Sequence, residues 1–534
     1  MSSDSSLRRV WRSIAILAVL VATVVVVPIA GTAGAASSGG TLIIGMTASD
    51  IPALDTVLAG QQGYEGYRFV GNQLYDGLTR FDLKQSKKIP DVIPALATEW
   101  SADATGSTWT FKLRDGVKFT DGTPFDADSV VFNLDRYLNS SSPQYNAALG
   151  SLVAISLGTI DSYTAVDPMT VQIVSKVPDS HLPSDMTTVY FGSPTAITKE
   201  GNDGFGEKPV GTGPFKVQSV TRGQQLVMVP NKDYWDGAPR LDKLILKPIP
   251  DPTTRIAALK SGDVNWIEYP TPDTVPQLES DGFSVLTNSY DHIWPWIFDT
   301  KVKPWDDVKV RQAANYAIDR KTMSEVLLHG TAEPADQVVP HANSAYTSAD
   351  DVYSYNPKKA KQLLKEAGYA DGVEATVSIP TSGSGNMIPI PMNEELQHEL
   401  GKVGIKVTFK PIEWAAMLQQ FTGGKVPDGQ TAVNISLSFQ QESFWALSFL
   451  SSSPLNVAGY NNPDVDAALT KAASTVDPDA RAKLYQEAAK QITDDAVWLY
   501  VVNDKNPRAM SANVKGFVQP KSWFVNLTDT YVTK

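Results

Sequence analysis

Short runs of β-branched and aromatic residues alternate with amphipathic stretches of helical length along most of the chain. This predicts mixed α/β units rather than a helical bundle or a β-sandwich. Strands are predicted at 41–46 (TLIIGM), 108–114, 170–176, 243–249, 375–380, 406–412 and 433–439 (VNISLSF). Helix starts are marked by a capping side chain before a proline suited to the first helical turn, at Asn356-Pro357, Asn462-Pro463 and Asp477-Pro478. After Pro357, the residues Ala360, Leu363, Leu364 and Ala367 recur on one face, and Gly368 supplies a left-handed stop. Thr123-Pro124 with Asp126 opens a further helix whose Val130, Val131, Leu134, Tyr137 and Leu138 form an apolar face.

The first 36 residues depart from this pattern. Arg8, Arg9 and Arg12 precede an apolar run from Ile14 to Ala30, and Ala33-Gly34-Ala35 follows as a cleavage site, so the segment reads as an export signal. Its apolar run approaches the length of a spanning helix, which leaves cleaved signal and retained anchor as the two readings. At 534 residues the chain exceeds what one hydrophobic core supports, so two or three lobes are expected. No cysteine is present, which removes disulfides and the thiol of a bacterial lipid anchor. The net charge of −12 disfavours nucleic acid or an anionic membrane surface as partner.

Catalytic signatures are missing. No nucleophile elbow, zinc-protease helix, P-loop or dinucleotide fingerprint occurs, and the Gly-x-Gly of PVGTGPF (209–215) reads as a tight turn. The five histidines, His181, His292, His329, His341 and His398, lack metal-ligand spacing and are assigned surface or structural roles. No metal or cofactor is expected. Carboxylate pairs brought together only in space keep an exported hydrolase open as an alternative.

The segment PALATEWSADATGSTWTFKLRDGVKFTDGTPFDADSVVFNLDR (94–136) resembles the signature region of the bacterial extracytoplasmic solute-binding proteins of the peptide/nickel class, family 5, which serve ABC importers. The resemblance continues through VGTGPFKV (210–217), PWDDVKVRQAANYAIDR (304–320), YNPKKAKQLLKEAGYADG (355–372), AGYNNPDVDAAL (458–469) and 477–500. It implies an α/β two-lobed periplasmic-binding-protein clamp of class II type with an inserted domain, closing on ligand at the lobe interface. On that pattern residues 1–36 are signal peptide. Lobe I takes 37–74, 202–288 and 503–534, the inserted domain 75–201, and lobe II 289–502. The implied function is non-enzymatic: a monomer outside the cytoplasmic membrane, not a lipoprotein, binding a peptide or peptide-sized solute for an ABC permease and ATPase. A surface receptor or adhesin on the same clamp is the other alternative. Arg311 and Asp319, charged positions on a helix with an alanine-rich inner face, are assigned to ion pairs.

The aromatic stretch SLSFQQESFWALSFL (436–450) bears on the ligand. In peptide-binding members of the family, the loop after the strand matching VNISLSF presents an aspartate to the peptide's ammonium group. Here Phe439, Gln440, Gln441, Glu442 and Trp445 stand there, with Glu442 the one charge available to an amine. Phe444, Leu447, Phe449 and Leu450 are assigned to core. Polar groups after a buried strand face the crevice in α/β lobes, so Gln440, Gln441 and Glu442 are candidate ligand contacts. Other candidates sit at strand ends and in loops: Thr47, Asp50, Tyr64, Tyr290, Trp294, Trp296 and Trp414.

Overall fold

The computed structural model describes residues 39–56, 64–347, 352–439 and 442–534. The export segment expected at 1–36 lies outside them.

Three sheets organise these residues. The first has seven strands in the order Ser284–Leu286, Arg508–Met510, Trp266–Glu268, Thr41–Met46, Lys243–Pro248, Gln225–Pro230 and Phe215–Thr221. Thr41–Met46 runs parallel to Lys243–Pro248, and its Leu42, Ile44 and Met46 enter a core that includes Trp266 and Phe69. The second also has seven, ordered Ala332–Pro334, Trp498–Asp504, His292–Phe298, Ala432–Asn434, Val373–Pro380 and Ile405–Ile412, with Leu437–Ser438 paired to the start of His292–Phe298. Val373–Pro380 and Ile405–Ile412 are parallel and joined through the helix Pro389–Val403, a βαβ crossover. The third is a four-stranded antiparallel sheet, Ala97–Ala102, Thr108–Leu113, Thr170–Ser175 and Ile160–Asp167, against which the helix Ala127–Leu138 packs. This is the mixed α/β, two-lobed clamp that the resemblance implied.

The local signals act as the side chains dictate. Asn356, Asn462 and Asp477 each accept a backbone N–H from the first turn of the helix they open, with proline as its first residue. The helix expected to open at Thr123-Pro124 starts later: Asp126 is its cap, accepting from Ser129 N–H at 2.9 Å. Its buried residues also include Arg136. That guanidinium is fully buried and meets both carboxylate oxygens of Asp55 at 2.7 Å, tying the third sheet's helix to the loop after Thr41–Met46. Arg311 forms no carboxylate pair among the described residues; it donates to the carbonyls of Trp305, Asp495 and Ala496. Asp319 caps the turn Arg320–Thr322. The PVGTGPF segment is a close-packed joint rather than a free turn, because a Cβ on Gly213 would stand 2.4 Å from the Leu74 carbonyl carbon.

The strand expected over 433–439 breaks in two, at Ala432–Asn434 and Leu437–Ser438. Its neighbour His292–Phe298 carries Pro295 in mid-strand, which has no N–H to give the ladder. The register of that neighbour against Trp498–Asp504 also shifts between Trp294 and Trp296. Asn434 Nδ2 and the Ile435 N–H both turn to the Pro295 carbonyl. A bulge of this kind re-aims the residues that follow it.

Two short segments, 287–291 and 505–507, are the links between the first and second sheets, and the Asn288 N–H binds the Lys505 carbonyl at 2.9 Å to hold them side by side. Beside them lies a buried ion cluster. Arg68 Nη2 is 3.0 Å from Glu268 Oε2, and Arg508 Nε is 3.0 Å from Glu268 Oε1, all three side chains being fully buried. Burial opposes ionisation of Glu268, but Arg68 and Arg508 together outweigh it and hold the carboxyl below its ordinary range. Glu268→Gln leaves two buried guanidinium groups without their shared carboxylate. It should cost about 3–5 kcal/mol, read as a lower urea midpoint at unchanged slope. A midpoint within about 0.5 kcal/mol of the parent would show that the cluster contributes no net stability.

Candidate functional site

A cavity of about 150 Å³ draws its walls from all three sheet units. Tyr67 and Trp523 come from the first, Leu152, Ser156 and Thr188 from the unit of the four-stranded sheet, and Ser384, Trp414, Leu418, Phe421, Ser436, Leu437 and Phe444 from the second. A larger cleft of about 510 Å³ beside Arg320 and Asp336 is walled by the second unit alone.

Each wall has a local cause. The interruption at Pro295 leaves Ile435 and Ser436 between the two strand pieces, and Ser436 and the re-paired Leu437 both reach the cavity. The loop 381–386 follows the strand Val373–Pro380, and its Gly383 and Gly385 have φ of +112° and +75°. A Cβ on Gly383 would stand 2.3 Å from the Trp414 ring, and one on Gly385 would stand 2.2 Å from Ser436 Oγ and 3.0 Å from the Trp523 ring. Only glycine lets this backbone lie against both indoles. Trp294 Nε1 donates to Asn386 Oδ1 at 3.2 Å, and Asn386 Nδ2 binds the Ser382 carbonyl, which fixes the turn. Trp523 is held from behind: its carbonyl accepts from Arg508 Nη2 at 2.9 Å, so the buried ion cluster also positions a cavity wall.

The polar groups between cavity and crossing segments form a buried chain. His292 Nδ1 accepts the Asp504 N–H at 3.0 Å, so Nε2 carries the proton and faces Ser436 Oγ at 2.9 Å. Burial pushes His292 down to about 3, and the ring is neutral. Asp504, at the end of its strand, accepts the hydroxyls of Tyr290 at 2.9 Å and Tyr269 at 3.0 Å on Oδ2. Burial nevertheless pushes its carboxyl up to about 7, outweighing those donors and Arg508. Among the described residues no group of three His, Asp or Glu side chains is placed to hold a metal ion.

The candidate residues named from sequence scatter around this cavity. Trp414 lines it. Tyr290 stands behind it, its ring centroid 5.9 Å from that of Trp523. Trp294 acts through Asn386. Trp296 is buried in the core of the second sheet, with Nε1 donating to Asn393 Oδ1 at 2.8 Å. Phe439 and Trp445 belong to a neighbouring core, Phe439 stacking on Trp498 and Trp445 standing edge-on to Tyr485. Thr47 gives its N–H and hydroxyl to Glu65 Oε1, and Asp50 accepts the N–H groups of Ile51 and Gly223, so both are occupied within the protein. Tyr64 begins the helical turn Tyr64–Gly66, and Glu442 begins the helix Glu442–Leu447. Gln440 and Gln441 lie outside the described residues, as do the side chains of Tyr64 and Glu442.

One assignment reverses within that last helix. Phe444, expected in the core, lines the cavity, while its neighbour Trp445 takes the core position. Successive helical residues point about 100° apart, so only one of the pair can face each way. Sequence reading missed Tyr67, Trp523 and Ser384. The alternation of Asn434, Ser436 and Ser438 was a usable signal for a polar strand face. Nothing local marks Trp523.

A comparison with protein families matches residues 91–456 to the model of bacterial extracellular solute-binding proteins, family 5 (middle region). Heme-binding protein A of Haemophilus influenzae is 31% identical over 474 residues, covering 85% of this chain and 86% of that protein. Glutathione-binding protein GsiB of Salmonella paratyphi A is 33% identical over 470 residues, covering 85% and 88%. Among solved structures, the periplasmic binding protein DppA of Helicobacter pylori in complex with the peptide STSA superposes with a TM-score of 0.79 at 26% identity, covering 93% of this chain and 99% of that one.

The Asp504 carboxyl carries a pH signature. Its raised value means that the stability it contributes is fully present below the unfolded value near 4 and is lost as pH rises through about 7. Raising pH from 5 to 8 should therefore lower the melting temperature of the parent relative to Asp504→Asn. A difference between the two proteins that stays flat across that range would show that the carboxyl is ionised throughout.

Proposed function

Because the chain belongs to the family 5 bacterial extracellular solute-binding proteins, we propose that the cavity walled by its three sheet units encloses part of a peptide-sized solute on its way to an ABC importer. The family is one of substrate-binding components that act outside the cytoplasm with ABC permeases and carry out no catalysis. The observation that carries the reading for this chain is the triple origin of the cavity wall. A solute held there contacts all three units at once, and so favours the closed arrangement of the clamp over an open one.

In this reading lobe I takes 37–74, 202–288 and 503–534, the inserted domain 75–201 and lobe II 289–502. The hinge is the pair of segments 287–291 and 505–507, with the Asp504 carboxyl and its two tyrosines at its base. The protein works as an exported monomer, in the periplasm or on the outer face of the cytoplasmic membrane, after loss of residues 1–36 or anchored by them. Related proteins are named for haem, glutathione and peptide, which supports a solute of peptide size and leaves its chemistry to the residues of this site. In this reading Glu442, two residues before the cavity-lining Phe444, serves as the anchor of a cationic group on the solute.

Native mass spectrometry of protein purified without refolding should find a solute released unchanged, since a receptor returns its ligand intact; a chemically altered product would favour the exported hydrolase. Calorimetry on Glu442→Gln then sorts the ligand's charge. An amine ligand should lose roughly 2–5 kcal/mol of binding, whereas a neutral one should lose less than about 1.5 kcal/mol. Unchanged affinity for a proven amine would remove Glu442 from the site.

A further inference from the structure

We infer that the described walls of this cavity take one uncharged, ring-sized group that brings a hydrogen-bond acceptor, such as an aromatic or amide-bearing part of the larger solute. The inference rests on the enclosure reading above and adds the chemistry of what is enclosed.

Size comes first. At about 150 Å³ the cavity matches the volume at which an apolar protein cavity holds a single benzene-sized molecule. A peptide-sized solute therefore places one group here and extends beyond it. Charge comes second. Among the described residues that line the cavity, Tyr67 is the one with an ionisable side chain, and none carries a charge at neutral pH. Arg68, Glu268 and Arg508 lie behind Trp523 and are engaged with one another. A charged group pushed against these walls would lose its hydration and find no counter-ion there.

The polar atoms supply the rest. Ser436 faces His292, Ser438 donates to the Asp291 carbonyl and Thr422 donates to the Gln419 carbonyl, so these hydroxyls are used within the protein. Among the described residues, Ser384 Oγ and Trp414 Nε1 are buried without a hydrogen-bond partner, in residues only 2% and 9% exposed. An indole N–H can only donate, so it requires an acceptor from the occupant, whereas a serine hydroxyl accepts or donates. Their placement is built into the backbone: the positive-φ Gly383 and Gly385 flank Ser384 and permit its turn to lie against Trp414 and Trp523, where any Cβ would collide. A buried donor without a protein partner calls for one from water, an ion or a ligand, and at a cavity wall the occupant can supply it.

The test uses the full chain labelled with ¹⁵N at the indole nitrogens and three probes of one ring size: benzamide, benzylamine and benzoate. The Trp414 Nε1–H resonance is assigned by its loss in Trp414→Phe. Benzamide should shift that resonance and bind at least about tenfold more tightly than either charged probe. Trp414→Phe should weaken benzamide about three- to tenfold, the effect of one net hydrogen bond, and Ser384→Ala should weaken it less while leaving the turn intact. The inference is overturned if benzylamine or benzoate binds as well as benzamide, if benzamide binds without moving the Trp414 resonance, or if benzamide does not bind at all. A co-purified solute whose charged end rests on Trp414 would overturn this inference and leave the receptor reading standing. Benzamide binding in a protein that captures no solute would do the reverse.

Discussion

The carboxylate of Glu268, shared between Arg68 and Arg508, is the interaction on which the rest of the molecule turns. It joins a central strand of the first sheet, the strand that returns from the second sheet and the helical segment containing Tyr67. Three charges removed from water are costly unless each is compensated. Trp266 Nε1 and Gln519 Oε1 complete part of that compensation, at 2.9 and 2.7 Å from Glu268 and Arg508. The same Arg508 holds the Trp523 carbonyl, so the geometry of a cavity wall is set by electrostatics behind it. The cluster thus ties the first sheet, a strand beside the crossing segment 505–507 and the cavity wall to one another.

The hinge and the cavity share a second constraint, the proline at 295. A central strand with a missing N–H has to bulge, and its partner strand breaks opposite it. That break brings Ser436 to the cavity and to His292, whose ring reaches Asp504 at the start of a crossing segment. A neutral histidine, a carboxyl poised near 7 and two tyrosine hydroxyls therefore connect the cavity wall to the segments that cross between the sheets. Opening of the clamp has to rearrange this chain or carry it as a unit.

The residues that carry the family resemblance are mostly scaffolding. The segment 94–136 builds two strands of the four-stranded sheet and most of its capped helix, and Gly213 is a packing joint. The proposed cavity is walled from elsewhere: by a glycine-flanked serine, two tryptophans and a phenylalanine that come from distant parts of the chain. This separation suits a clamp that keeps one mechanical frame and varies what it holds.

Period and capping made the elements legible. Alternating apolar residues marked Thr41–Met46 to the residue, and an acceptor side chain before proline marked three helices, because these signals act through backbone hydrogen bonds within a few residues. The resemblance supplied the two-lobed clamp and the importer role. What lay beyond the sequence was everything decided by contact between distant segments. Trp294, Trp296 and Trp414 read alike as aromatic residues near strand ends, yet one braces a loop, one fills a core and one faces the cavity. The pairing of Arg136 with Asp55 gave no signal in the sequence, because the two are far apart in the chain. Trp523 became a ligand wall only through Arg508 and a glycine turn more than a hundred residues upstream, and which way an aromatic ring faces depends on neighbours that only the folded chain brings to it.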